Sequence, residues 1–215
     1  MAVSITSARE IELMREAGKR LAHVHQELEA MITPGISTWE IDAKGEKLIR
    51  DCGCIPNFLH YNGYPASICV SVNDEVVHGI PRKDRYLKEG DIVSLDAGLI
   101  YKGYHSDAAR THAVGKVSTE AQKLMDVTKQ SFFEGIKFAK EGNHLYDISA
   151  AIGDYAEKFG YGVVRDLVGH GIGTEMHEDP QIPNFRQKRK GMKLQAGMTL
   201  AIEPMINIGR PDVAW

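Results

Sequence analysis

Two aspartates flank a run whose residues suit a chain reversal. Asp96 lies in Gly90-Asp91-Ile92-Val93-Ser94-Leu95-Asp96-Ala97-Gly98 and Asp107 in Tyr104-His105-Ser106-Asp107-Ala108-Ala109-Arg110-Thr111, with Lys102-Gly103 between the two runs. If Lys102 and Gly103 are the two residues of a tight turn, Tyr101 faces Tyr104 and Asp96 faces Ala109. Asp107, two residues from Ala109, then shares a face with Asp96 as a diagonal neighbour, roughly 7–8 Å away at the backbone. Two carboxylates so placed can grip one ion. On a buried face they need a cation, a shared proton or solvent; on an exposed face they need nothing. Aspartate is depleted in strands, which favours the metal reading.

Two further residues have suitable chemistry. His170 sits in Val168-Gly169-His170-Gly171-Ile172-Gly173, where the glycines permit close backbone approach around an imidazole. Glu203 interrupts the apolar run Thr199-Leu200-Ala201-Ile202-Glu203-Pro204-Met205, where a carboxylate is out of place unless it binds something. Two aspartates, a histidine and a glutamate form a hard, oxygen-rich set suited to manganese, iron, cobalt or zinc. Carboxylate-bridged metal pairs activate water at neutral pH, so the reaction class is hydrolysis.

The elements that position these residues follow from spacing. Ser7-Ala8-Arg9-Glu10 reads as a capping box for a helix with Met14, Ala17, Leu21, Val24, Leu28 and Met31 on one face, ending before Pro34-Gly35. Ser37-Thr38-Trp39-Glu40 opens a second helix that turns Ile41, Leu48 and Ile49 inward and ends at Gly53. Strands are expected around 67–72 and 91–100. An offset of 107 places Gly35 on Gly142, Trp39 on Tyr146, Glu40 on Asp147, Ile41 on Ile148, Ala43 on Ala150 and Gly53 on Gly160, after another helical stretch over 119–140. The same offset places Asp96 on Glu203. A duplicated helix-helix-strand unit would bring one acid from each half to a junction, a common place for a site.

The 215 residues carry a net charge of −3, which gives no electrostatic reason to bind nucleic acid or an anionic membrane. The segment from Met1 to Ser7 runs into a charged amphipathic stretch without the apolar core of a signal peptide, and no apolar run reaches membrane-spanning length. Cys52, Cys54 and Cys69 make an odd count that argues against a disulfide framework and falls short of a four-ligand zinc site. A cytoplasmic protein is expected.

Asp96, Asp107, Gly169-His170-Gly171-Ile172-Gly173 and Ile202-Glu203-Pro204-Met205 resemble four of the five metal-ligand motifs of the type I methionine aminopeptidases, in order. Val77-His78-Gly79-Ile80-Pro81 and Met176-His177-Glu178 resemble that family's two catalytic histidine motifs. The resemblance implies an α+β pita-bread fold: two pseudo-symmetric halves, about 7–111 and 118–215, of a single catalytic domain 1–215, sharing a curved antiparallel sheet that is incomplete at its C-terminal end. It implies removal of N-terminal methionine from nascent proteins when the second residue is small. Asp96 would chelate one ion, Asp107 would bridge, and His170 and Glu203 would bind the other. Phe58, Tyr61, Tyr64, Cys69 and Met176 would form the methionine pocket. The family's fifth ligand, a bridging glutamate, has no matching motif before Trp215. The expectation is therefore at most one tightly held divalent ion and little activity, in a monomer that acts on nascent chains at the ribosome. An Xaa-Pro peptidase and a non-catalytic pita-bread binding protein are the alternative readings.

Overall fold

The computed structural model describes residues 3–215; Met1 and Ala2, which begin the segment inspected for a signal peptide, lie outside the described residues. Among the described residues the helices come in two pairs, α1 (Ala8–Glu29) with α2 (Thr38–Asp51) and α3 (Thr119–Ile136) with α4 (Leu145–Glu157), and each pair is followed by strands, nine in all. The strands are β1 (Ile55–Pro56), β2 (Ile68–Val72), β3 (Ile92–Tyr101), β4 (Tyr104–Ala113), β5 (Gly162–Val163), β6 (Gly169–Gly171), β7 (Glu178–Ile182), β8 (Leu200–Ala201) and β9 (Ile206–Asn207). The chain forms two compact units. One comprises Ala8–Ala121 with Gly173–Met176; the other comprises Gln122–Ile172 and His177–Trp215 with the segment ending at Ser7.

In the first unit β3 is flanked by β1 and β2 on one side and β4 on the other, all antiparallel. The two-residue turn forms as the sequence requires, with Lys102 at φ 49° and Gly103 at φ 85°. Two left-handed residues in succession give the turn whose twist matches paired strands. Alternation then sorts the side chains. Leu95, Ala97 and Leu99 of β3 and Ile68 and Val70 of β2 join Leu21, Val24, Leu28, Ile41 and Ile49 in the core beneath α1 and α2. The intervening residues, Cys69, Ser71, Asp96 and Gly98, take the opposite face. Gly45 lets α2 approach closely, since a Cβ there would lie 2.4 Å from Ile68 Cγ1.

In the second unit Leu145, Ile148, Ile152, Ile182 and Leu194 form the core. The duplication is visible in its hydrogen bonds. Glu40 caps Ser37 and Asp147 caps His144, each closing the first turn of its helix. Gly35 N–H donates to Leu87 O and Gly142 N–H to Leu194 O. The isolated bridges Ser37–Tyr86 and His144–Lys193 repeat the same offset. Of the apolar run through Glu203 only Leu200–Ala201 is strand, and Pro204, without an N–H, cannot extend a ladder beyond Glu203.

One polar core residue was not anticipated. His25, on the apolar face of α1, is 1% exposed and its Nε2 lies 2.7 Å from the Ala108 carbonyl of β4. Burial lowers its pKa to about 4. Its folded pKa lies below the unfolded value, so the associated stability is present above about pH 6.5 and is lost as pH falls toward 4. Between pH 7.5 and 5 the loss should be on the order of 2 kcal/mol. Urea unfolding at the two pH values should show it, and His25→Gln, which keeps an N–H donor, should flatten the dependence. An equally steep dependence in His25→Gln would assign the effect to other groups.

Candidate metal centre and side-chain pocket

The β3–β4 register pairs Asp96 with Ala109 and Gly98 with Asp107, so the two aspartates are diagonal neighbours on the face turned away from α1 and α2. Both are half-buried. Across β2, Cys69 pairs with Asp96. Burial, and then the nearby Asp96 carboxylate, push the Cys69 thiol up to about 12. At neutral pH, with no metal beside it, it is a protonated packing group.

The second unit contributes a histidine and a carboxylate already in contact. His170 is held between two strands that leave no room for side chains beside it: a Cβ on Gly169 would lie 2.3 Å from Ala201 O, and one on Gly171 2.2 Å from Asp179 O. The glycines flanking His170 therefore do what the sequence suggested. His170 Nδ1 lies 2.7 Å from Gly171 O, so its N–H is donated there and the tautomer leaves a lone pair on Nε2. That Nε2 stands 3.0 Å from Glu203 Oε1. A lone pair facing a carboxylate calls for a cation or proton between them, and an imidazole with its far nitrogen tied to a carbonyl is the arrangement metal-binding histidines adopt. The donor set thus fits a divalent ion. The exposed His177 ring lies edge-on to His170, with centroids 4.3 Å apart. Asn184, fully buried, donates from Nδ2 to Glu203 O at 2.7 Å and fixes the backbone at that residue. No spacing in the sequence singled out Asn184.

In the first unit Phe58, Cys69 and Met176 pack as a buried cluster with Tyr64 against it. Tyr61 does not join them; it lies in a short 3-10 turn, Tyr61–Gly63, with 39% of its surface exposed. Tyr64 OH can donate to Gly79 O at 2.9 Å and to Ile68 O at 3.1 Å, linking the pocket to the residue after His78. The backbone at His78 is left-handed, φ 58°. Gly79 N–H donates to Ser71 Oγ at 3.0 Å, and Val70 N–H donates to Gly79 O at 2.9 Å. A Cβ at Gly79 would lie 2.2 Å from Val70 O, so glycine is required for this approach to β2. Ser71 was missed in the sequence because serine in a strand has no signature of its own.

The sequence matches metallopeptidase family M24 over residues 12–214. The methionine aminopeptidase of Clostridium acetobutylicum is 54% identical over 207 residues, covering 96% of this chain and 83% of that one. The crystal structure of methionine aminopeptidase from Rickettsia prowazekii superposes with a TM-score of 0.96 at 38% identity, covering 98% of this chain and 85% of that one. The prolidase from Pyrococcus furiosus has the same fold at a TM-score of 0.80 and 25% identity, but this chain covers only 58% of it. With its pita-bread fold and its identity to the aminopeptidases over nearly its whole length, the chain belongs to metallopeptidase family M24, among the methionine aminopeptidases.

Proposed function

We propose that Asp96, Asp107, His170 and Glu203 hold divalent metal for the removal of N-terminal methionine from peptides and nascent proteins whose second residue is small. The observation that carries this reading is the orientation of His170, whose Nδ1 is committed to Gly171 O while Nε2 faces Glu203. Asp107, His170 and Glu203 each offer one ligand atom, a carboxylate oxygen or an imidazole nitrogen. They supply three protein ligands to one ion; Asp96 and a shared Asp107 supply two to another. When bound, divalent cations such as cobalt, manganese, iron or zinc supply the Lewis-acid and water-activating chemistry that peptide hydrolysis requires.

The protein's own groups do the rest. Phe58, Tyr64, Cys69 and Met176 receive the methionine side chain, and Tyr61 borders the entrance. His177, exposed beside His170, donates a hydrogen bond to the scissile carbonyl as charge develops on its oxygen. His78 positions the backbone nitrogen of the scissile bond. We read residues 1–215 as a single catalytic domain built from two halves, acting as a cytoplasmic monomer on chains leaving the ribosome; three free thiols accord with a reducing compartment. Among the described residues no helix is long and apolar enough to cross a membrane. The Xaa-Pro peptidase reading is not favoured, given 54% identity to an aminopeptidase against 25% to a prolidase.

Asp107→Ala should weaken Mn²⁺ binding by roughly two orders of magnitude while the far-ultraviolet circular dichroism stays native, since loss of a ligand acts directly on coordination; unchanged binding by calorimetry would remove Asp107 from the ligand set. In a form that carries the family's fifth ligand, His177→Ala should lower turnover of a Met-Ala-Ser peptide by about two to three orders of magnitude. Wild-type turnover in that variant would end the assignment. Met-Ala-Ser should be preferred to Leu-Ala-Ser by roughly 10- to 200-fold, the range a shaped apolar pocket provides; equal cleavage would contradict the pocket, and no turnover despite metal binding would favour a non-catalytic binding protein.

A further inference from the structure

The three walls of the proposed methionine pocket are tied to the β3–β4 hairpin in different ways. Cys69 is fixed by its pairing with Asp96. Met176 closes a short loop that starts at Gly173, and Gly173 O accepts from the backbone N–H of His105 at 2.8 Å. Phe58 follows β1, and beyond the long contact from Asn57 N–H to Gly98 O at 3.5 Å, the side chain of Asn57 makes its tie. Asn57 Nδ2 lies 3.1 Å from His105 Nδ1. The amide rests on β3 where Gly98 leaves space: a Cβ at Gly98 would lie 2.3 Å from Asn57 Oδ1 and 2.9 Å from its Cγ and Nδ2. Asn57 is only 7% exposed and its Oδ1 has no hydrogen-bond partner among the described residues. A buried amide left half-satisfied is a cost that a purely structural position tends to avoid. It is accounted for if reaching His105 matters.

We propose that Asn57 is a specificity-determining positioning residue, which holds the Phe58 wall at a fixed distance from the Cys69 and Met176 walls by hydrogen-bonding His105. His105 thereby anchors opposite sides of the pocket, Met176 through its backbone and Phe58 through its ring. The inference rests on the pocket assigned under the proposed function. Its consequence is selective: without the tie, Phe58 can retreat, and the pocket admits a branched side chain as readily as the long unbranched one of methionine.

The test is binding of L-methionine and L-leucine to the Mn²⁺-loaded chain, by calorimetric competition, in wild type, Asn57→Ala and Gly98→Ala. The last leaves Asn57 and His105 unaltered but fills the space beneath the amide. Both variants should lose about tenfold in the methionine-to-leucine affinity ratio, and Asn57→Ala should keep the wild-type Mn²⁺ affinity and melting temperature. Ring ¹⁵N spectra of wild type should show His105 Nδ1 unprotonated and hydrogen-bonded, with a shift in both variants. If Asn57→Ala does not fold, Gly98→Ala and the His105 spectrum decide. A wild type that favours methionine, with variants that keep its ratio, would overturn the role of Asn57 alone. Loss of Mn²⁺ affinity together with the ratio would also overturn it, as a general structural defect. A wild type with no preference would overturn the pocket itself.

Discussion

The Lys102–Gly103 turn sets the register that puts Asp96 and Asp107, the proposed metal ligands of the first unit, on one face. Both residues have positive φ, and the resulting two-residue reversal pairs Tyr101 with Tyr104 and carries that register down ten residue pairs to Ile92 and Ala113. Strand side chains alternate, so a slip of one residue would turn Asp107 toward the helices and Ala108 away from them. That alternative would bury a carboxylate among Leu95, Ala97 and Leu99 beside α1 and α2. Desolvating an unpaired charge there costs several kcal/mol, which makes the core a guard on the register. On the correct face Asp96 and Asp107 place two carboxylates of like charge near one another, which is unfavourable when both are ionised. A divalent ion reverses the sign of that term.

The second unit reaches the same chemistry by another route. Its helix caps and loop hydrogen bonds repeat those of the first at a constant offset, and three short strands, β7, β6 and β8, crowd around His170. Gly169 and Gly171 bring Ala201 and Asp179 carbonyls to within a distance no side chain allows, and a register shift after His170 turns its ring so that Nδ1 meets the next carbonyl. The imidazole is thereby preorganised, with its tautomer chosen by a backbone acceptor before any ion arrives. Cys69 illustrates the complementary effect. Set beside Asp96 and away from water, it stays a thiol and offers an apolar, polarisable wall.

Much of this was legible in the sequence because it rests on local rules. A two-residue turn with glycine second, period-two alternation and capping boxes are each encoded within a few residues, so α1, α2, the hairpin register and the shared face of Asp96 and Asp107 follow from spacing. The repeat was legible because Gly35 and Gly142 need the same left-handed backbone, at φ 93° and 87°. What escaped notice depends on residues distant in sequence. His25, four residues after Leu21 and three before Leu28, stands on the apolar face of α1, but its partner, the Ala108 carbonyl, is eighty-three positions away and nothing in α1 names it. Ser71, Asn57 and Asn184 each make a single side-chain hydrogen bond, to Gly79, His105 and Glu203 respectively, and such distant pairings have no periodicity. Tyr61 was grouped with the pocket by the family resemblance; left-handed residues at His60 and Asn62 flank it, and it is exposed.

The central claim is that one divalent ion is held by Asp107, by Nε2 of His170 and by Glu203. Anomalous diffraction at the manganese edge from crystals of the chain grown with Mn²⁺ tests it most directly. The account predicts an anomalous peak coordinated by the Asp107 and Glu203 carboxylates and by Nε2 of His170, with Nδ1 still hydrogen-bonded to Gly171 O. Manganese bound away from these residues, or coordinated through Nδ1 of a rotated His170, would contradict it.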